Sequence, residues 1–246
     1  MRLADWLALT CHKIATDPRF SGLESFFVDQ HGVCLARNLA VETARQRGCT
    51  HLAMIDSDQV PDYISGAPPF WDTSINFMLA VDEPCMVAAP TAKADGTVVV
   101  YREVETDDTC QLEFVDNEYA ATATGIQQVH AVSLAMSLID LRCFDILEAW
   151  RPEGNQVCPP FFRFGYHDRT ESSLLFGEES MTMNLTEAGV PVFVNWDCWA
   201  GHSKPIIHGK PVAKHGAAWL NDPELSQQHS PLSFRDAMVM DRPDDD

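Results

Sequence analysis

The chain has 246 residues, 46% hydrophobic and 22% charged, which is enough for one α/β domain with a sizeable core or two small ones. Its 36 acidic residues against 17 Lys plus Arg give a formal charge of −19, and no run of Lys or Arg forms a basic patch, which argues against non-specific nucleic-acid binding. The same acidity suits a site that gathers a divalent cation, although solubility alone also explains it.

The eight cysteines, at 11, 34, 49, 85, 110, 143, 158 and 198, form no C-x-x-C pair, so a structural zinc site is not expected. Cys34, Cys85 and Cys143 sit in apolar stretches, as reduced core thiols of a cytoplasmic protein do. Asp5 interrupts an N-terminal apolar run too short for a signal peptide, and no window approaches the ~20 apolar residues of a membrane span.

In chain order, residues 3–16 read as a helix stopped near Asp17-Pro18. Ser25-Phe-Phe-Val-Asp29 reads as a short strand. Residues 34–47 read as a helix with Leu35, Leu39 and Ala40 on one face and Gly48 just past its end. The run Thr50-His-Leu-Ala-Met-Ile55 has the near-continuous apolarity of a strand covered on both faces. After a Gly/Pro loop at 66–69 come a helix near 73–81 and a strand at 85–89. Residues 96–104 and 111–115 pair as a hairpin, and 129–139 form one further strand-like run. A helix at 141–149 leads into a long aromatic loop, 151–173, whose residues 159–166 are a candidate lid. Helix 178–188, closed by Gly189, precedes the strand 190–194. One domain is expected over 1–215, with an extension over 216–246 that ends in an acidic tail.

Asp56-Ser57-Asp58 ends the apolar run, and two carboxylates at i and i+2 beyond a strand can point the same way. Such a pair repels unless a cation or a proton lies between them, and hard oxygen donors suit Mg²⁺ or Mn²⁺. Strand ends of α/β sheets are also where ligands collect. Alone, D-x-D is a weak signal.

Other motifs surround it. Ala36-Arg37-Asn38 lies in the preceding helix, Gly177-Glu178-Glu179 opens a later one, and Gly201-His202 follows the last strand. Taken singly, Arg37 and Asn38 read as helix-capping groups, Glu178 and Glu179 as first-turn acids, and His202 as an ordinary surface or core histidine. In this order, over roughly residues 34–204, the four motifs resemble the GT-A-type nucleotide-sugar-dependent glycosyltransferases, especially the small bacterial and phage-encoded ones.

That resemblance implies a GT-A-like, Rossmann-like α/β fold: a mixed, mostly parallel sheet flanked by helices. It implies a nucleoside-diphosphate sugar as donor, Mn²⁺ or Mg²⁺ as cofactor and a hydroxyl acceptor. By that likeness Asp58 and His202 hold the metal, and Asp56 contacts the metal or the nucleotide sugar. Arg37 stands on the nucleotide side, Glu179 is the general base and Glu178 is its partner at the helix start. Lys93, after the strand 85–89, is a candidate for the diphosphate. Val132-Ser-Leu-Ala135 stands where the family has a small-residue turn near donor and acceptor. Trp150 and Trp199 are candidates for stacking on a sugar, as is Trp196, although Trp196 reads rather as a core residue. The family begins with a strand ahead of the helix matching 3–16, and none is legible here.

Other readings stay open. Ile55-Asp-Ser-Asp-Gln-Val60 also fits the D-x-D-x-[TV] pattern of haloacid-dehalogenase-like phosphatases, with Asp56 as nucleophile and Asp58 as acid/base. That pattern expects a later acidic pair at a strand end, but Asp107-Asp108 lies in a polar turn with no apolar run before it. A catalytically inactive nucleotide-sugar-binding homologue is another, and sugar transfer to modified phage DNA bases a third.

Overall fold

The structure, a computed structural model, describes residues 3–28, 32–62, 64–93, 96–105, 110–150, 161–162, 165–166, 174–175 and 177–202. They lie within one compact unit, Met1–Ser203. The expected boundary between 215 and 216 lies outside the described residues.

The order begins α1 (Leu3–Thr16), α2 (Val33–Gln46), β1 (His51–Ile55), β2 (Gln59–Val60), α3 (Phe70–Val81) and β3 (Met86–Ala88). It continues β4 (Val100–Glu105), β5 (Cys110–Phe114), α4 (Asn117–Thr122), β6 (Ile126–Val129), β7 (Ala131–Val132) and β8 (Met136–Asp140). It ends α5 (Arg142–Ala149), β9 (Gly165–Tyr166), β10 (Leu174–Leu175), α6 (Gly177–Glu187), β11 (Val192–Asn195) and β12 (Gly201–His202).

The central sheet has the order β1-β8-β3-β11-β6. Only β3 and β11 pair in parallel; β1–β8, β8–β3 and β11–β6 are antiparallel. The expectation of a mostly parallel sheet is therefore not met. Every residue of β8 is buried, and an apolar run reports that burial without reporting strand direction. β1, β3 and β11 still share one direction, so Ile55, Ala88 and Asn195 end at the same edge of the sheet.

Alternate side chains of the sheet feed two cores. Met86, Ala88, Ile139 and Val192 face one core with Val41 and Ala44 of α2, Phe144 of α5 and Met181 of α6. Cys85, Val87, Met136 and Leu138 face the other with Trp6 of α1 and Ile75 and Met78 of α3. The result is an α/β/α sandwich. The β4–β5 hairpin forms a separate small sheet with β7.

Several expectations change here. Residues 25–28 form no strand, although Phe26 packs on the core. β1 lies at the edge of the sheet, with Ala53 exposed between the buried Leu52 and Met54, so it is not covered on both faces. Leu35 and Leu39 face outward, and the buried stripe of α2 carries Arg37, Val41 and Ala44 instead. The run 129–139 splits into the last residue of β6, then β7 and then β8, and β7 belongs to a different sheet from the other two. The helix end at Gly48 is as read: Gly48 takes φ +71°, and the Gly48 and Cys49 amides donate to the carbonyls of Arg45 and Ala44.

Burial also sets the thiols. It pushes Cys85 and Cys198 up to about 11, and it pushes Cys143 higher still, with the nearby Asp140 carboxylate adding to the rise. Thiolate is the reactive form, so these three are protonated and inert at neutral pH. Iodoacetamide at pH 8 is expected to alkylate the partly exposed Cys11, Cys34 and Cys49 first. The buried three should react only after guanidinium unfolds the chain, and their early labelling in mass spectrometry would contradict this core.

Candidate functional site

Arg37 is buried by α2 with only 5% exposure, and a buried guanidinium needs an anionic or hydrogen-bonding partner. Asp56, one residue past β1, meets it: Arg37 Nη2 donates to both carboxylate oxygens at 3.1 Å. The Asp56 side chain is 38% exposed, so the pair has a buried cation and a half-open anion. The Asp56 amide donates to the Ala135 carbonyl at 2.9 Å, continuing the β1–β8 ladder past its last paired residues.

The chain then turns back at once. The Gln59 amide donates to the Asp56 carbonyl at 3.1 Å. Gln59–Val60 pairs antiparallel with Gly201–His202, with His202 opposite Gln59 and Gly201 opposite Val60. Two motifs far apart in sequence thus meet as backbone neighbours, with Asp58 one residue from the position facing His202. Gln59 Nε2 also donates to Asp58 Oδ1, at 3.3 Å.

The other half of the site hangs on α6. Thr182 Oγ1 lies 3.2 Å from the Val132 amide and 3.1 Å from the Val132 carbonyl, and Thr186 Oγ1 donates to the His130 carbonyl at 2.7 Å. These hydroxyls dock α6 on β7. One turn earlier on the same helix face, Glu179 is carried to 3% exposure. Its carboxylate lies near the Tyr101 phenol, which burial first and that charge second push well above its ordinary value. The turn between β7 and β8 links the two halves, since Ala135 binds Asp56 and Val132 binds Thr182.

The remaining expected residues divide. Lys93 follows β3, but its ammonium lies 5.0 Å from the Phe114 ring centroid and makes no ion pair among the described residues. Trp196 is buried, with its ring 5.8 Å from Tyr119 and 6.1 Å from Trp199, so it is a core side chain. Trp150 and Trp199 are partly buried against the same core. For Glu178 and His202 the backbone is described and the side chain is not. Asp107 and Asp108, which the phosphatase reading needs, lie outside the described residues, as does most of the expected lid. Phe161 and Phe162 of that lid are buried in the core.

Sequence reasoning missed how Phe162 is held. Asn38 Nδ2 donates to the Phe162 carbonyl at 2.8 Å, and the Phe162 amide donates to Asn38 Oδ1 at 3.1 Å. The partner is 124 residues away, so no local pattern announces it. Thr182, Thr186 and Gln59 were missed for the same reason. A cleft of about 420 Å³ lined by Arg45, His51, Asp140 and Arg142 lies at the opposite end of β1 and β8, away from these groups. Among the described residues, no three His, Cys, Asp or Glu side chains converge as a ready metal cage.

The unequal burial of Arg37 and Asp58 gives a stability test. Asp56→Ala removes a charged hydrogen-bond acceptor from a buried guanidinium and is expected to cost about 2 kcal/mol. Asp58→Ala, at a half-buried turn position, should cost less than about 1 kcal/mol. Urea unfolding of the two variants measures the order, and the reverse order would refute the assigned roles.

No protein-family model and no curated protein matches this chain. Among solved structures, it is similar to "Crystal Structure of A197 from STIV", with TM-score 0.42 and 15% identity over 71% of this chain and 69% of that one. It is also similar to "Crystal structure of GalNAc-T7 with UDP, GalNAc and Mn2+", with TM-score 0.42 and 12% identity over 70% of this chain and 30% of that one. This chain therefore spans less than a third of that second protein. Likenesses this remote assign no activity, and the functional reading rests on the geometry of the site.

Proposed function

We propose that this chain is a metal-dependent glycosyltransferase that moves a sugar from a nucleoside-diphosphate donor to an acceptor hydroxyl. The observation that supports it is the β2–β12 ladder, which joins the Asp-x-Asp turn to Gly201-His202 at the edge where β1, β3 and β11 end. That edge is where an open α/β sheet gathers ligands.

The donor set fits a hard divalent cation. Asp58 and His202 offer a carboxylate and an imidazole, and Asp56 adds a second carboxylate shared with Arg37. Mg²⁺ and Mn²⁺ on nucleotides take one or two protein carboxylates and complete their shell with phosphate oxygens and water, so a full protein cage is not required. When bound, the metal offsets the negative charge that grows on the diphosphate as the sugar leaves. Arg37 holds Asp56 in place from the nucleotide side of the site, and Lys93 reaches a phosphate only by leaving Phe114.

Glu179 is the general base of this reading, with Glu178 beside it at the start of α6. The acceptor oxygen forms a bond to the anomeric carbon and its proton passes to the Glu179 carboxylate. The bond from that carbon to the diphosphate oxygen breaks, and the nucleoside diphosphate departs. The near-complete burial of Glu179 keeps bulk water from competing with the acceptor.

Thermal unfolding with a panel of nucleoside diphosphates and Mn²⁺ tests the binding half. A matching ligand at saturation should raise Tm by about 5 °C, and Asp58→Ala should abolish the rise. No shift with any member of the panel, or an equal shift in Asp58→Ala, overturns the reading. The chemical half is separate: Glu179→Gln keeps the size of the side chain and the Mn²⁺-dependent shift. It should lower transfer from the matching sugar nucleotide at least about 100-fold. Stable phosphorylation of Asp56 by a phosphate donor would instead support the phosphatase reading.

A further inference from the structure

Gln59 was assigned no role by its residue type or its spacing, yet it touches every part of the candidate metal site. Its amide N–H donates to the Asp56 carbonyl, its backbone pairs opposite His202, and its side-chain Nε2 donates to Asp58 Oδ1. The residue is 2% exposed, and its Oε1 is buried with no hydrogen-bond partner among the described residues. A buried amide with an unsatisfied oxygen is a costly way to fill space, because an apolar side chain of the same size leaves nothing unpaired. The stability of the fold therefore does not explain a glutamine here. The bond to Asp58 does, because it restricts the rotation of that carboxylate at the turn.

We infer that Gln59 is a positioning residue that orients Asp58 toward a divalent cation and holds it in register with His202. This rests on the metal-dependent reading above. Groups that hydrogen-bond a ligating carboxylate restrict its rotation before the ion arrives, and their loss weakens metal affinity about 10- to 100-fold without removing a ligand. The backbone contacts of Gln59 with Asp56 and His202 do not involve its side chain, so Met or Leu at this position leaves their donor and acceptor groups in place. The side-chain effect can thus be separated from the integrity of the turn.

The experiment uses the full chain and Mn²⁺ alone, with free Mn²⁺ read by electron paramagnetic resonance. A second readout is Tm in EDTA. Gln59→Met removes both the donor to Asp58 and the unpaired oxygen while keeping an unbranched side chain. It should melt in EDTA at or above the wild-type temperature and bind Mn²⁺ ~10-fold more weakly. Gln59→Leu removes the same donor and covers the case in which Met packs poorly. Unchanged Mn²⁺ affinity in a folded variant overturns the inference. So does a fall in metal-free Tm large enough to unfold the turn, since Gln59 is then structural. If the wild type itself binds no Mn²⁺, and Asp58→Ala matches it, the metal reading fails as a whole. That outcome is distinct from a wild-type affinity that Gln59→Met retains.

Discussion

A guanidinium has been folded under a helix, and the local structure follows from the need to meet its charge. Arg37 lies on the buried face of α2, and desolvating it is costly unless an anion or several acceptors face it. Asp56 does so from the end of β1 with both carboxylate oxygens. The ion pair ties the helix to the strand that follows it and sets the direction in which the chain leaves the sheet. The turn to β2, the ladder with β12 and the bond from Gln59 to Asp58 all start from that point. Asp56 is thereby engaged by protein on one side while its carboxylate stays partly open on the other.

The insertion of β8 between β1 and β3 is the second constraint. Because β8 runs against both neighbours, the turn that precedes it arrives at the edge where they end. Ala135 closes on the Asp56 amide there, and Val132, three residues earlier, holds Thr182 of α6. A parallel strand in that place would bring its C-terminal end to this edge and leave the turn that precedes it at the opposite edge. The antiparallel direction thus joins the carboxylate pair to the helix that carries Glu179. Direction, rather than apolarity, does this.

Most elements were legible because their signals are local. α1 and α2 follow helical spacing, the Gly48 cap follows a φ that glycine adopts without strain, and the β4–β5 hairpin follows alternation around a polar turn. The misses are equally physical. Leu35 and Leu39 sit at helical spacing and were read as core-facing, but the same helix has a second stripe through Arg37, Val41 and Ala44. The ion pair, together with the small Ala44 and branched Val41, lets that stripe pack on the sheet. The edge position of β1 was invisible because its apolar residues pack on one face and leave Ala53 outside.

By itself the sequence determined the α/β class, the places where most helices and strands lie, and the presence of a carboxylate pair at a strand end. Those properties depend on neighbours a few residues apart, through periodicity, capping and turn chemistry. Only the tertiary structure decided that Arg37 is spent on Asp56, that Gly201-His202 lies along Gln59–Val60, and that Asn38 holds Phe162. It also decided that Lys93 rests on Phe114. Each of these joins residues distant in the chain, and a hydrogen bond or a ring contact carries no sequence period. It exists only once the sheet order has brought the two partners to the same edge.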